Sequence, residues 1–142
     1  MSKTAVIFWT GTGNTETMAN AVYEGAKEAD ASARLFNVAD IKAQDAANYD
    51  TLLLGCPAMG AEELEESEFE PFFCELEASL SGKKVGLFGS YGWGDGEWMR
   101  SWAERTAQAG AKLVSEEGVM ANDDPDDDAL EACRELGRAA AL

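Results

Sequence analysis

The strongest constraint on the fold is the alternation of short apolar runs with longer segments of helical period. Runs of β-branched and apolar residues indicate buried strands, and apolar residues spaced three and four apart indicate amphipathic helices. The pattern predicts strands over residues 4–9, 33–38, 51–55, 84–89 and 112–119, and helices over 14–29, 67–80, 97–109 and 127–142. We expect the polar segment 40–49 to hold one helical turn.

Such alternation predicts an α/β fold: a doubly wound, five-stranded parallel sheet with helices on both faces, since crossover connections are right-handed. We expect the strand order 2-1-3-4-5. The 142 residues suffice for one ordinary core, so we predict a single domain over residues 1–142. Ligands of such sheets bind beyond the carboxyl ends of the strands, which directs attention to the loops after strands one, three, four and five.

Composition excludes several kinds of site. No histidine is present, which removes imidazole triads and histidine-containing zinc sites. Cys56, Cys74 and Cys133 form no Cys-x-x-Cys motif and cannot supply the four thiolates of an ordinary iron–sulfur cluster, and they indicate a reduced, cytoplasmic protein. The apolar run 5–9 is too short for a signal segment or membrane span. A net charge of -16 repels nucleic acids and anionic membranes, so we expect neither as a partner.

The loop after the first strand has the residue types of a phosphate site. It offers backbone amides and hydroxyls at a helix start; no lysine follows, so it is not a Walker A loop, and Glu16 replaces the third glycine of a dinucleotide fingerprint. Amides at the positive end of a helix dipole bind phosphate without a cation. A tight turn capped by Asn14 or Thr15 is the alternative. The candidate phosphate loop consists of Thr10, Gly11, Thr12, Gly13, Asn14 and Thr15.

Two glycine-rich loops each carry a large apolar side chain that no periodicity assigns to the core. Met59 lies in segment 56–62 and Trp93 in segment 90–96. A polarisable thioether facing a flat indole would form a slot for a planar ring, and the glycines would let backbone groups approach the ring edge. The alternative is that both side chains fold back against the sheet. A phosphate loop together with such a slot indicates a mononucleotide.

Four segments of the sequence resemble the short-chain flavodoxins of anaerobic bacteria: residues 10–15 (TGTGNT), 55–60 (GCPAMG), 65–72 (EESEFEPF) and 89–94 (GSYGWG). The resemblance extends over nearly the whole chain. It implies a flavodoxin-like fold that holds FMN non-covalently. It also implies a low-potential one-electron carrier, not an enzyme, that shuttles mainly between the semiquinone and hydroquinone states for its redox partners.

The same resemblance implies roles for individual residues. The hydroxyl and amide side chains of loop 10–15 would hold the FMN phosphate, while Met59 and Trp93 would sandwich the isoalloxazine ring. Gly60 would offer its carbonyl to flavin N5, Glu62 would accept from N3, and amides around Gly92 would reach the pyrimidine edge. No catalytic or metal-binding residue is implied. Outside the phosphate loop the implied cofactor contacts are Pro57, Ala58, Met59, Gly60, Glu62, Ser90, Tyr91, Gly92, Trp93, Gly94 and, toward the ribityl chain, Asn122.

Two acidic clusters follow strand ends and have two interpretations. They are either solvated faces and helix caps or an acidic rim around the flavin. A rim would attract basic faces of redox partner proteins in transient, salt-dependent contacts and would oppose negative charge on the reduced ring. We expect such partners and a monomeric protein. The clusters contain Glu62, Glu63, Glu65, Glu66, Glu68 and Glu70, and Asp123, Asp124, Asp126, Asp127 and Asp128.

Two other functions remain open at the level of sequence. A flavin enzyme, such as a quinone or nitro-compound reductase, needs a substrate pocket over the ring, and 142 residues without an insertion leave little chain to build one. A signalling domain of the receiver type would share the strand order and the acidity but would use carboxylates and Mg²⁺ at the sheet edge. Steady NAD(P)H oxidation would favour the first function, and a colourless protein would favour the second.

Overall fold

The chain folds around one parallel sheet with helices on both faces. The computed structural model describes residues 4–11, 13–59, 63–92, 94, 96–115 and 118–141. In this part of the chain the sheet has the order β2-β1-β3-β4-β5, with β6 also paired to β4, which confirms the predicted order. The strands are β1 (Thr4–Phe8), β2 (Arg34–Asn37), β3 (Thr51–Gly55), β4 (Lys84–Tyr91), β5 (Lys112–Leu113) and β6 (Val119–Asn122).

The helices occupy the positions that the apolar periodicity predicts. They are α1 (Asn14–Ala29), α2 (Ala43–Ala46), α3 (Phe69–Glu77), α4 (Glu97–Gln108) and α5 (Asp127–Ala141). A short 3₁₀ turn over Val38–Asp40 precedes α2, so the polar segment between strands holds two short helical pieces. Helix α3 is shorter than the predicted 67–80 because residues 66–68 form a turn before it. No helix among the described residues is both long enough and apolar enough to span a membrane.

Alternate side chains of the buried strands divide the core into two layers. On one face Ile7 and Leu54 pack with the aromatic side chains of α3 and α4, among them Phe69 and Trp102. On the other face Val6 and Leu53 pack against α1 and α5. These two helices approach each other closely at Gly25 of α1 and Gly137 of α5, where an added Cβ would clash with the backbone of the other helix. The two layers leave the carboxyl ends of the strands free for loops.

The last predicted strand, over residues 112–119, is instead two short strands. Lys112 of β5 pairs with Lys84, and Val119 of β6 pairs with Phe88. The chain therefore advances seven residues from Lys112 to Val119 while β4 advances four, which is three residues more than a continuous strand would need. Val114 is still bonded to β4, because its amide donates to the carbonyl of Val85, and the pairing with β4 is present again at Val119. The two apolar pieces are separated in the sequence by the polar residues 115–117 and Gly118, which the predicted continuous strand did not take into account. The second piece continues to Asn122 and therefore brings the following loop to the sheet edge.

Candidate functional site

A cavity of about 320 Å³ opens at the carboxyl edge of the sheet, where the loops after β1, β3, β4 and β6 meet. Its size is within the range of small-molecule sites, about 300–1,000 Å³. The three candidate loops of the sequence analysis all contribute to it. The lining residues are Trp9, Gly11, Asn14, Pro57, Ala58, Met59, Ser90, Tyr91, Gly92 and Asp123.

The first loop ends in a helix start that no side chain caps. Gly13 has φ 99°, a left-handed conformation that glycine adopts without strain, and its amide donates a 3.0 Å hydrogen bond to Thr10 Oγ1. Neither Asn14 nor Thr15 is the N-cap, so the capped-turn alternative is wrong. The first amides of α1 and its positive dipole end face the loop, which is the donor set that a phosphate group requires. Thr12 lies outside the described residues.

Thr15 connects the first loop to the third. Its side chain is buried, and its hydroxyl oxygen accepts a 3.4 Å hydrogen bond from the amide of Ser90. Asn14, half-buried, lines the cavity beside it. The helix start is thus held at a fixed position relative to the end of β4.

The second loop is bonded to the end of β4 at Ala58, and an antiparallel bridge joins Met59 to Glu63. The amide of Ala58 donates to the carbonyl of Ser90 at 3.1 Å, while Met59 and Glu63 exchange two backbone hydrogen bonds of 2.8 Å. Half-buried Met59 thereby lines the cavity together with Pro57 and Ala58. Gly60 and Glu62 lie outside the described residues.

The third loop is supported by a tryptophan that does not line the cavity. The rings of Tyr91 and Trp98 have centroids 5.5 Å apart, and Trp98 Nε1 donates to the carbonyl of Cys56 at 3.1 Å. Trp98 therefore connects the second loop, at Cys56, with the third loop, at Tyr91. Gly92 is exposed at the mouth of the cavity, and Gly94 is exposed but does not line it. Trp93, the proposed second wall of the ring slot, lies outside the described residues.

Two lining residues were not predicted. Trp9 was assigned to the end of the first strand, but it follows β1, and its Nε1 donates to Glu68 Oε1 at 3.1 Å. Asp123 was assigned only to an acidic cluster, but its amide donates to the carbonyl of Tyr91 at 2.7 Å. Its φ of 56° is unusual for a residue other than glycine. Asn122, in contrast, is exposed, does not line the cavity and donates to the carbonyl of Tyr91 at 3.4 Å.

One member of the acidic rim proves to be internal. Glu65 is buried, and its carboxylate accepts hydrogen bonds from the amides of Ser67, Glu68 and Phe69. Burial acts to raise the pKa of Glu65, but these hydrogen bonds and that of the Ser67 hydroxyl lower it below its usual value. Of the interpretations given for the acidic clusters, Glu65 therefore fits the helix cap and not a solvated face or an exposed rim, and three amides offset the cost of removing its charge from water.

The remaining acidic residues divide between surface charges and local roles. Three glutamates near the second loop are exposed: Glu63, Glu66 and Glu68. Asp123 and Asp124, which follow β6, are also exposed. Glu70 is paired with Arg105 of α4 at 2.6 Å. Asp126 accepts from the amide of Ala129 at 2.8 Å, which confirms the helix-cap interpretation for that residue.

Comparison with known proteins finds similar proteins over nearly the whole length of the chain. The family model described as flavodoxin matches residues 6–137. The flavodoxin of Megasphaera elsdenii is 50% identical over 136 residues, covering 96% of each chain, and that of Clostridium beijerinckii is 46% identical, covering 96% of this chain and 97% of the relative. The solution structure of two-electron reduced Megasphaera elsdenii flavodoxin superposes with a TM-score of 0.87 at 51% identity, covering 97% of this chain and 98% of that chain.

Proposed function

The chain belongs to the flavodoxin family, whose members are FMN-binding electron carriers rather than enzymes, and we propose that the cavity at the carboxyl edge of its sheet is the FMN site. One observation carries this assignment. The loops after β1, β3 and β4 converge on one cavity, and the uncapped start of α1 lies at its border. The receiver-type and flavin-enzyme alternatives gain no support from the similar proteins described above.

The phosphate end of FMN is assigned to loop 10–15. Gly13 in a left-handed conformation directs the first amides of α1 toward the loop, and hydroxyls from Thr10, Thr12 and Thr15 add donors. Charge-assisted hydrogen bonds of this kind bind a dianion without a lysine or arginine. Gly11 and Asn14 complete the border of the cavity.

The ring end of FMN is assigned to the second and third loops. Pro57, Ala58 and Met59 form one wall, and Ser90, Tyr91 and Gly92 form another. Gly60, Glu62, Trp93 and Gly94 complete the proposed contacts, and Asn122 serves indirectly through the carbonyl of Tyr91. When bound, FMN supplies the one-electron chemistry, while these residues orient the ring and exclude water from its faces.

We infer further that this chain holds FMN at a low potential and exchanges its electrons with basic faces of partner proteins. The net charge of -16 and the exposed carboxylates beside the cavity support both points. Negative charge near the ring opposes the second electron, and it attracts positively charged protein surfaces. We also propose that the protein works as a single-domain monomer in the cytoplasm, in keeping with three unpaired cysteines.

Titration of the FMN-free protein with FMN and with riboflavin tests the assignment. The two ligands share the ring and differ in the phosphate, so loop 10–15 predicts much tighter binding of FMN. The complex should show the visible absorption of a bound flavin and no steady oxidation of NAD(P)H. Equal affinity for the two ligands would show that loop 10–15 does not bind the phosphate.

A further inference from the structure

A single residue, Glu65, accepts hydrogen bonds from four successive backbone amides. Its carboxylate accepts from the amides of Ser67 at 2.8 Å, Glu68 at 2.7 Å and Phe69 at 2.9 Å, and from the hydroxyl of Ser67. Its backbone carbonyl accepts from the amide of Glu70 at 2.8 Å. The N-cap residue of α3, Glu68, makes no side-chain cap of its own, so Glu65 caps this helix from outside.

The charge of Glu65 is essential to this arrangement. The residue is 6% exposed, and every group that donates to its carboxylate is uncharged. An ionised carboxylate accepts four donors, whereas a protonated or amidated group must place a donor of its own among them. In Glu65→Gln the side-chain NH₂ takes the place of one acceptor oxygen and leaves an amide of this turn without its partner, and protonation weakens the same set of hydrogen bonds.

The turn that Glu65 holds is connected to two walls of the cavity. The carboxylate of Glu68, inside the turn, accepts from Nε1 of Trp9 at 3.1 Å. The amide of Glu65 itself donates to the sulfur of Cys56 at 3.4 Å, at the point where β3 ends and the second loop begins. Met59 and Glu63 close that loop two residues earlier. Trp9 and Met59 both line the cavity.

We propose that Glu65 is a positioning residue for FMN: its ionised carboxylate fixes the turn that holds Trp9 and the Met59 loop in place. The inference builds on the proposed function, because it concerns the site assigned there to the ring. It differs from a rim effect, since Glu65 acts through the geometry of the walls. Of the other charged groups here, Glu63, Glu66 and Glu68 are exposed, and Glu70 is paired with Arg105.

The matched pair Glu65→Gln and Glu66→Gln separates geometry from charge, because each removes one negative charge from adjacent positions. At neutral pH we expect Glu65→Gln to weaken FMN and riboflavin by the same factor of about ten, since the phosphate loop is untouched. It should also shift the potential at which the first electron enters. Glu66→Gln should bind both ligands within twofold of the unchanged protein and leave that first potential in place.

Each result has one meaning. Binding of FMN by the unchanged protein without preference over riboflavin contradicts the proposed function and not the role of Glu65. Normal FMN binding by the unchanged protein, with Glu65→Gln indistinguishable from Glu66→Gln, overturns the positioning role. If circular dichroism shows that Glu65→Gln does not fold, Ser67→Ala takes its place, because it removes one donor to the carboxylate and keeps the charge. Ser67→Ala should weaken both flavins by about threefold, and unchanged affinity overturns the inference.

Discussion

The hydroxyl oxygen of Thr15, at the start of α1, accepts a hydrogen bond from the amide of Ser90, in the last part of β4, with an N–O distance of 3.4 Å. This contact joins the loop assigned to the phosphate of FMN to the loop assigned to its ring. Thr15 is buried, and both its neighbour Asn14 and its hydrogen-bond partner Ser90 line the cavity.

Removing this hydroxyl should weaken FMN binding more than riboflavin binding. For Thr15→Ala we expect a loss of roughly 1 to 3 kcal/mol in the affinity for FMN, the usual cost of a lost hydrogen bond to a charged group. Riboflavin affinity should change little, since riboflavin has no phosphate. Fluorescence titration of both flavins measures the difference, and Thr15→Ser, which keeps the hydroxyl, is the control. An equal loss for both ligands would assign Thr15 to the scaffold alone.

The contact between α1 and α5 predicts a stability change at two glycines. A Cβ on Gly25 would lie 1.9 Å from the carbonyl oxygen of Arg134, and one on Gly137 would lie 2.1 Å from that of Val22. Neither backbone can yield without separating the helices, so Gly25→Ala and Gly137→Ala should each destabilise the protein by about 1 to 3 kcal/mol or more. Urea unfolding measures this cost. Asn20→Ala, on the exposed face of α1, should cost nothing comparable.

The lowered pKa of Glu65 predicts how stability depends on pH. Because its folded pKa lies below the usual 4.5, Glu65 contributes stability that is complete above about pH 4.5 and is lost as pH falls through the lowered value. Glu65→Gln should therefore cost about 1 to 3 kcal/mol at neutral pH, and the difference from the unchanged protein should shrink in acid. Urea unfolding of the FMN-free proteins at several pH values shows this. A difference that stays constant into strong acid would mean that the charge is not what stabilises the turn.

The sequence predicted most of the fold because periodic burial determines most of it. The bounds of α1 and β3 and the strand order follow from apolar spacing and from the handedness of crossovers. The break in register between β5 and β6 was not predicted, although the polar residues 115–117 and then Gly118 interrupt the apolar run at this point of the sequence. Pairing of that segment with β4 is decided by tertiary packing.

The loops that form the site were predicted from the sequence, but not all of the residues that line it. Gly11, Asn14, Met59 and Gly92 line the cavity as expected. Trp9 was missed because an aromatic residue after a strand has the same local pattern as one inside it. The sequence does not decide between a cap and a rim for Glu65, because a glutamate among glutamates gives no signal for the amides that surround its carboxylate. The direction of those amides is a property of the folded turn.

The exposed glutamates beside the second loop predict an electrostatic effect on the flavin. When the second electron enters, the ring gains a negative charge, and a carboxylate at about 12 Å in an effective dielectric of 40 to 80 opposes it by roughly 0.3 to 0.7 kcal/mol. For one electron this equals about 15 to 30 mV for each charge. Apolar walls such as Met59 act in the same direction, because they keep water from the anion.

Replacing Glu63 and Glu66 together by glutamine should therefore raise the second one-electron potential by roughly 30 to 60 mV at low salt. The shift should shrink as ionic strength rises, because both side chains are exposed and mobile ions screen them. The first potential, at which a proton enters with the electron, should move much less.

Spectroelectrochemistry at low and high salt measures both potentials. The control for total charge is Glu104→Gln, because Glu104 is an exposed residue on α4. If that control raises the second potential by half as much as the double variant, the potential depends on net charge and not on these two glutamates. If neither potential moves at low salt, the glutamates beside the second loop do not tune the flavin, and of the two effects proposed for them only the attraction of basic partner surfaces is left to test.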